Sequence, residues 1–217
     1  MTDPFAHLIS EARIFLAELS ANNSKDWFGD QKSRYDVQLK TPALLFLDQI
    51  AAQSGRDLGC ALTPKLFRAH RDVRFSKDKT PYHTHLHMLW TLGRDQRQPP
   101  ALFFGISPDY VTAGGGVMGF DKPGLVNWRS ALDGPPGEEM EQALAAAQDQ
   151  GFTMDEPELK RVPAPYAKDH ARGDLLRRKG LAVWRRLTPD QYETPLTAVS
   201  ATFRDLKPVL DQLGQML

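Results

Sequence analysis

The chain has 217 residues, 41% of them hydrophobic and 25% charged, with a formal net charge of zero. At this length about 70% of the unfolded surface can be buried, so neither disulfides nor a structural metal is required for stability. Zero net charge argues against bulk attraction to nucleic acid or to a membrane surface, and a single cysteine, Cys60, excludes an internal disulfide framework and fits a reducing compartment.

The opening Met-Thr-Asp-Pro-Phe-Ala-His has no basic region followed by an apolar run, so no leader peptide is expected. No apolar stretch reaches the roughly 20 residues that span a bilayer, and a cytoplasmic location is expected. Asp3-Pro4 reads as a helix start, followed by Phe5, Leu8, Ile9, Ala12, Phe15, Leu16 and Leu19 at helical spacing. Asn22-Asn23 ends that helix, and Ser24 caps a second one carrying Trp27, Phe28, Lys32 and Tyr35. That aromatic stripe reads as core or pocket wall. Thr41-Pro42 restarts a helix that runs to Gly55, and Cys60 in Leu-Gly-Cys-Ala-Leu reads as a small buried hydrophobe.

Next comes strand periodicity. Phe67, Ala69, Val73 and Phe75 alternate with Arg68, His70, Asp72 and Arg74, with Arg71 breaking the apolar face. After a turn over Ser76–Pro81, Tyr82, Thr84, Leu86, Met88 and Trp90 form one face, with His83, His85 and His87 on the other. Ala101–Ile106 and Tyr110–Gly116 read as a second strand pair around Ser107-Pro108-Asp109, and Gly114-Gly115-Gly116 as a flexible or tightly packed backbone. Helices return at Asp121-Lys-Pro123, closed by Gly134, and at Glu138–Gln150, closed by Gly151. Leu159–Gly173 is irregular, Leu181–Leu187 suits a strand, and the C-terminal helix should break at Pro208. The pattern predicts a single α+β domain over residues 1–217, a mainly antiparallel sheet flanked by N-terminal and C-terminal helices.

The candidate site is residues 65–87, which hold six Lys or Arg and four of the six histidines against two Asp. Folding 67–75 onto 82–91 as a hairpin, with Phe75 opposite Tyr82, places Asp72 opposite His85 and His70 opposite His87. Cross-strand Cβ atoms are then about 5 Å apart. An aspartate beside a histidine fixes its tautomer and raises its basicity. Flanking arginines offer forked donors to phosphate or carboxylate. On this reading Asp72 orients His85 as an acid or base, while Arg68, Arg71, Arg74, Lys77, Lys79 and Tyr82 bind an anion. Lys160, Arg161, Tyr166 and Lys179, from a second basic cluster, complete the same pocket, with His170 beside them as a further catalytic candidate. The outer histidines of His83-Thr-His-Leu-His87 lie about 13 Å apart on a strand, too far for three metal bonds of about 2.1 Å. No metal site and no cofactor is assigned.

The segments Asn22-Asn-Ser-Lys-Asp-Trp-Phe28, Pro64-Lys-Leu-Phe-Arg68, Arg71-Asp-Val-Arg-Phe-Ser-Lys-Asp-Lys-Thr-Pro-Tyr82 with His85, Leu159-Lys-Arg161 and Leu176-Arg-Arg-Lys179 resemble the family catalogued as domain of unknown function 2461, over nearly the whole chain. The resemblance implies a compact cytoplasmic domain without a recognised cofactor. It also implies lysine in place of His83 and no fixed role for His87, leaving His85 as the leading catalytic or binding histidine. Three readings follow: a site for a small anionic or phosphate-bearing ligand; an open patch for nucleic acid or protein, which the neutral charge opposes; or an Arg/Asp/His network that is purely structural. The sequence does not specify an oligomeric state.

Overall fold

The computed structural model describes residues 3–93 and 97–217. Met1 and Thr2, part of the segment read for a leader peptide, lie outside the described residues.

Six antiparallel strands form one sheet in the order β1-β2-β3-β4-β6-β5: β1 Ala61–Leu66, β2 Leu86–Gly93, β3 Ala101–Ile106, β4 Val111–Val117, β5 Thr153–Met154 and β6 Leu181–Arg186. Helix α1 (Ala6–Ala21) precedes a short α2 (Lys25–Asp30). The next helix runs unbroken from α3 (Lys32–Arg34) through a π-helical stretch (Tyr35–Lys40) into α4 (Thr41–Leu58). After the sheet's first half come α5 (Lys122–Leu132), α6 (Pro135–Asp149) and a single turn α7 (Gly173–Leu176). The chain ends in α8 (Pro195–Asp205) and α9 (Lys207–Met216), broken at Leu206 just before Pro208. The α+β architecture with terminal helices is as the sequence predicts.

Several boundaries rest on expected chemistry. Ser24 Oγ accepts from Trp27 N at 3.3 Å and Asp121 Oδ1 from Gly124 N at 2.8 Å, each satisfying an otherwise orphaned helical donor. Two helix limits differ from expectation. The α-helix does begin at Thr41-Pro42, but it continues an unbroken coil, because the π-helical turn before it widens the coil where Pro42 has no N–H to give. The helix ends at Gly59, not Gly55, since Gly59 adopts φ 71° as the left-handed cap.

The larger correction concerns the hairpin. Strand β1 is Ala61–Leu66, paired Leu66 to Met88, and residues 67–85 form a loop with one bridge, His70 to Tyr82. Pro64 within β1 is tolerated because β1 lies at the sheet edge. The aromatic residues expected to face the core from 67–75 are open to solvent: Phe67 is 41% and Phe75 96% exposed.

One face of the sheet is covered by α1, α4, α8 and α9. Leu86, Met88, Trp90 and Leu92 of β2 point into that layer at period two. There Phe46 meets Phe104 at 5.5 Å and Trp90 meets Phe203 at 5.4 Å between ring centroids. The Trp90 indole donates to Leu47 O at 2.9 Å, so this large ring is buried without losing its hydrogen bond. The Trp27, Phe28 and Tyr35 stripe packs on Phe15, as core. Cys60 is half-buried against the same core. Among the described residues no helix is long and apolar enough to cross a membrane.

Candidate functional site

The basic loop after β1 pairs both of its aspartates with its own arginines. Arg71 reaches Asp78 at 2.5 Å and also the backbone and hydroxyl of Thr80. Arg74 forks onto Asp72 at 3.0 and 2.7 Å. Lys79 donates to Val73 O at 3.0 Å. The Thr80 backbone N–H, then Arg71, hold the Asp78 carboxyl down at about 2, and the Arg74 bond lowers Asp72. Two backbone bonds close the neck of this loop: Arg71 N to Pro81 O at 2.9 Å and His83 N to Ala69 O at 2.8 Å. The loop is anchored from outside by Asn23, whose amide accepts from Tyr82 N at 3.1 Å and donates to Tyr82 O at 2.9 Å, imitating a strand partner. Tyr82 itself is buried and stacked on Phe28 at 3.9 Å.

This geometry corrects the expected Asp72–His85 pair. With His70 opposite Tyr82, residues 71–80 bulge out of the ladder, and Asp72 spends both oxygens on Arg74. Arg68 and Lys77 are exposed on the same loop.

His83, His85 and His87 do share one face, but they stack. Ring centroids lie 4.7 Å apart for the first pair and 3.7 Å, at 18° between planes, for the second. His87 Nε2 and the Tyr110 hydroxyl are hydrogen-bonded at 2.8 Å. Burial lowers all three imidazoles, helped by Arg71 at His83 and His85 and by the neighbouring histidines at His85 and His87, and takes His87 down to about 4. They are therefore neutral near pH 7 and do not attract an anion by charge. Nearly parallel rings also hold their in-plane lone pairs side by side instead of aiming them at one point. Among the described residues, no group of three or more His, Cys, Asp or Glu is gathered for a metal. His85 borders a hollow of about 340 Å³ with Ser20, Thr84, Ser107, Asp109 and Tyr110.

The second basic cluster makes its own hollow, about 570 Å³, lined by Lys160, Arg161, Lys168, His170, Asp174 and Arg177. Arg177 and the buried Arg178 share Asp174 at 2.8 and 2.9 Å, and Arg178 also donates to Asp155 O at 2.5 Å. His170 has both nitrogens engaged. Nδ1 accepts from Arg172 N at 3.0 Å, so the proton lies on Nε2, which faces Asp133 at 3.1 Å. Among the described residues Lys160, Arg161 and Lys168 have no carboxylate partner. Tyr166 stands edge-on to His170 at 6.3 Å, and Lys179 lies two residues before β6, its N–H on Glu158.

The two basic blocks do not complete one pocket. The 67–85 loop leaves the sheet where β2 starts and β6 ends. Residues 155–180 lead into β6 at Leu181, which pairs with Val117 at the far end. Five residues of strand, ~17 Å, separate the ends.

A third and larger depression, about 610 Å³, runs across the sheet face that the helices leave open. It is walled by Phe67, Phe103, Trp184 and Met118, with His87 and Tyr110 at one end. Sequence reading recognised these strands without assigning this face, because its partners are distant in the chain.

The chain belongs to the family described as conserved hypothetical protein (DUF2461), whose pattern matches residues 11–211. No curated protein and no solved structure matches it.

Proposed function

We propose that this protein binds a small anionic or phosphate-bearing ligand in the hollow formed by residues 160–177, in the reducing cytoplasmic environment that a lone cysteine suits. The observation that carries this reading is the convergence of Lys160, Arg161, Lys168 and Arg177 on one concave space, with a single carboxylate, Asp174, already shared by two arginines. Cations held together repel, and an anion with several oxygens relieves that repulsion while matching the arginine fork. The cations of the 67–80 loop do not serve this site, because the loop leaves the opposite end of the sheet and Arg71, Arg74 and Lys79 are engaged inside it. Zero net charge opposes the reading as an extended nucleic-acid patch.

The test is calorimetric titration with inorganic phosphate and pyrophosphate at fixed ionic strength, using chloride as the matched control. Pyrophosphate is expected to bind the native protein and to weaken at least tenfold, about 1.4 kcal/mol, in the Lys160→Ala/Arg161→Ala variant. Arg74→Ala should bind as the native protein does. Equal binding by the double variant, or none by the native protein, overturns the assignment.

A further inference from the structure

We propose that the open face of the sheet is a separate binding site for a flat aromatic molecule bearing a carboxylate, its ring lying on Trp184 and its acid held by Arg186. The strand register sets out this face in two rows. His87, Gly105, Thr112 and Arg186 stand opposite one another across four strands. Two residues along, the next row is Phe103, Gly114, Trp184 and Thr153. The first row is polar and the second aromatic.

Glycine gives this face its flatness. A Cβ on Gly114 would lie 2.6 Å from the Trp184 ring, and one on Gly105 would lie 3.1–3.2 Å from the rings of His87 and Tyr110. The rings lie down over the glycines instead of standing between side chains, and a shallow slot remains above them. Phe103 meets Trp184 at 5.4 Å with 40° between planes, leaving an angled apolar floor. Phe67, 41% exposed, and Met118, 62% exposed, rise at the margins. A slot of this size, mostly apolar with few convergent polar groups, suits a small organic molecule more than a strand or helix.

Charge sets the orientation. Arg186 is exposed, and among the described residues it has no carboxylate partner. Asp155 also lines the slot, beyond Met154, which pairs with Val183. The register places the two charges about four residues apart along β6, ~13 Å. That exceeds the screening length of about 8 Å at physiological salt, so Asp155 does not cancel the pull of Arg186 on an acid. It disfavours the acid at its own end and favours a donor there. The Thr112 hydroxyl, opposite Arg186, donates to Arg185 O at 3.1 Å, so Arg186 is the donor left for the carboxylate. The His87–Tyr110 pair closes that end without adding charge, since burial keeps the imidazole neutral and the phenol protonated.

The experiment is saturation-transfer NMR and calorimetry with 2-naphthoate and, as neutral control, 2-naphthylmethanol. The acid should bind. Arg186→Gln should weaken it at least tenfold while leaving the alcohol unchanged, and Trp184→Leu should weaken both. Circular dichroism and melting of each variant establish that it is folded. Lys160→Ala/Arg161→Ala should bind naphthoate normally, which separates this site from the basic hollow. Four outcomes overturn the proposal: no binding of the acid, unchanged affinity in Arg186→Gln, loss of naphthoate in the Lys160/Arg161 variant, or sedimentation showing this face buried in a dimer.

Discussion

Replacing His87 with glutamine should make the protein less sensitive to mild acid. The imidazole is half-buried and beside two others, and its pKa falls from 6.5 to about 4. Between those values the unfolded chain binds more protons than the native one, so stability falls as pH drops from 6.5 towards 4. For one site with these two constants the loss between pH 7.5 and pH 5 is about 2 kcal/mol. The ring is partly open to water, and screening reduces this to about 1 kcal/mol. Glutamine does not titrate, so this component disappears in His87→Gln. Urea unfolding of both proteins at pH 7.5 and pH 5 gives the answer as a difference of differences, which removes the pH-independent cost of losing the stack and the Tyr110 bond. The variant should lose about 1 kcal/mol less than the native protein over this window, or about 3 °C in melting temperature. Asp36, Asp72 and Asp78 do not interfere, because their carboxyls are held below the ordinary 3.8. Parallel pH curves for the two proteins would refute the argument that the stack excludes the proton.

Two further substitutions test the supports of the candidate sites. Asn23→Ala removes both side-chain bonds to the Tyr82 backbone and should cost about 2 kcal/mol, with faster hydrogen exchange at Tyr82. Full stability with unchanged exchange would show that Asn23 does not anchor the loop. Gly114→Ala should cost more than about 2 kcal/mol, since its Cβ would sit 2.2 Å from Val183 O. Gly105→Ala, which meets only ring atoms at 3.1–3.2 Å, should cost less; thermal melts showing the opposite order would contradict the flat-ring account.

Much of the helical layer was legible because caps are local. Ser24 and Asp121 announce their helices within three residues. The basic loop misled for an equally physical reason. Its alternation of Arg, Asp and Arg looks like the polar face of a strand, yet Arg71, Asp72, Arg74 and Asp78 bond one another within ten residues. A segment that satisfies its polar groups locally gains little from a ladder. The true edge strand, Ala61–Leu66, was hidden by Pro64, which is admissible only at an edge that sequence does not locate. The same limit applies to the sites. Lys160, Arg161 and His170 were recognised and do line one hollow, because they are close in the chain. Arg186 and Trp184 acquire a shared face with His87 and Phe103 only through pairings across four strands.

The glycine triplet of β4 connects the core to the open face. Gly115 faces the helical layer, where a Cβ would press on Leu102 and Leu206 at 3.2–3.3 Å. Gly114 faces the other way and lets Trp184 lie flat. Gly116 takes φ 137°, which side chains rarely adopt, and a Cβ there would meet Leu181 O at 2.0 Å. The triplet is therefore tightly packed, not flexible, and each glycine is required by a different neighbour. Side chains at these positions would push apart the α8–α9 junction at Leu206, the β6 backbone and Trp184. The close pairing of β4 with β6 and the aromatic slot above it thus have a common cause in one short stretch of backbone.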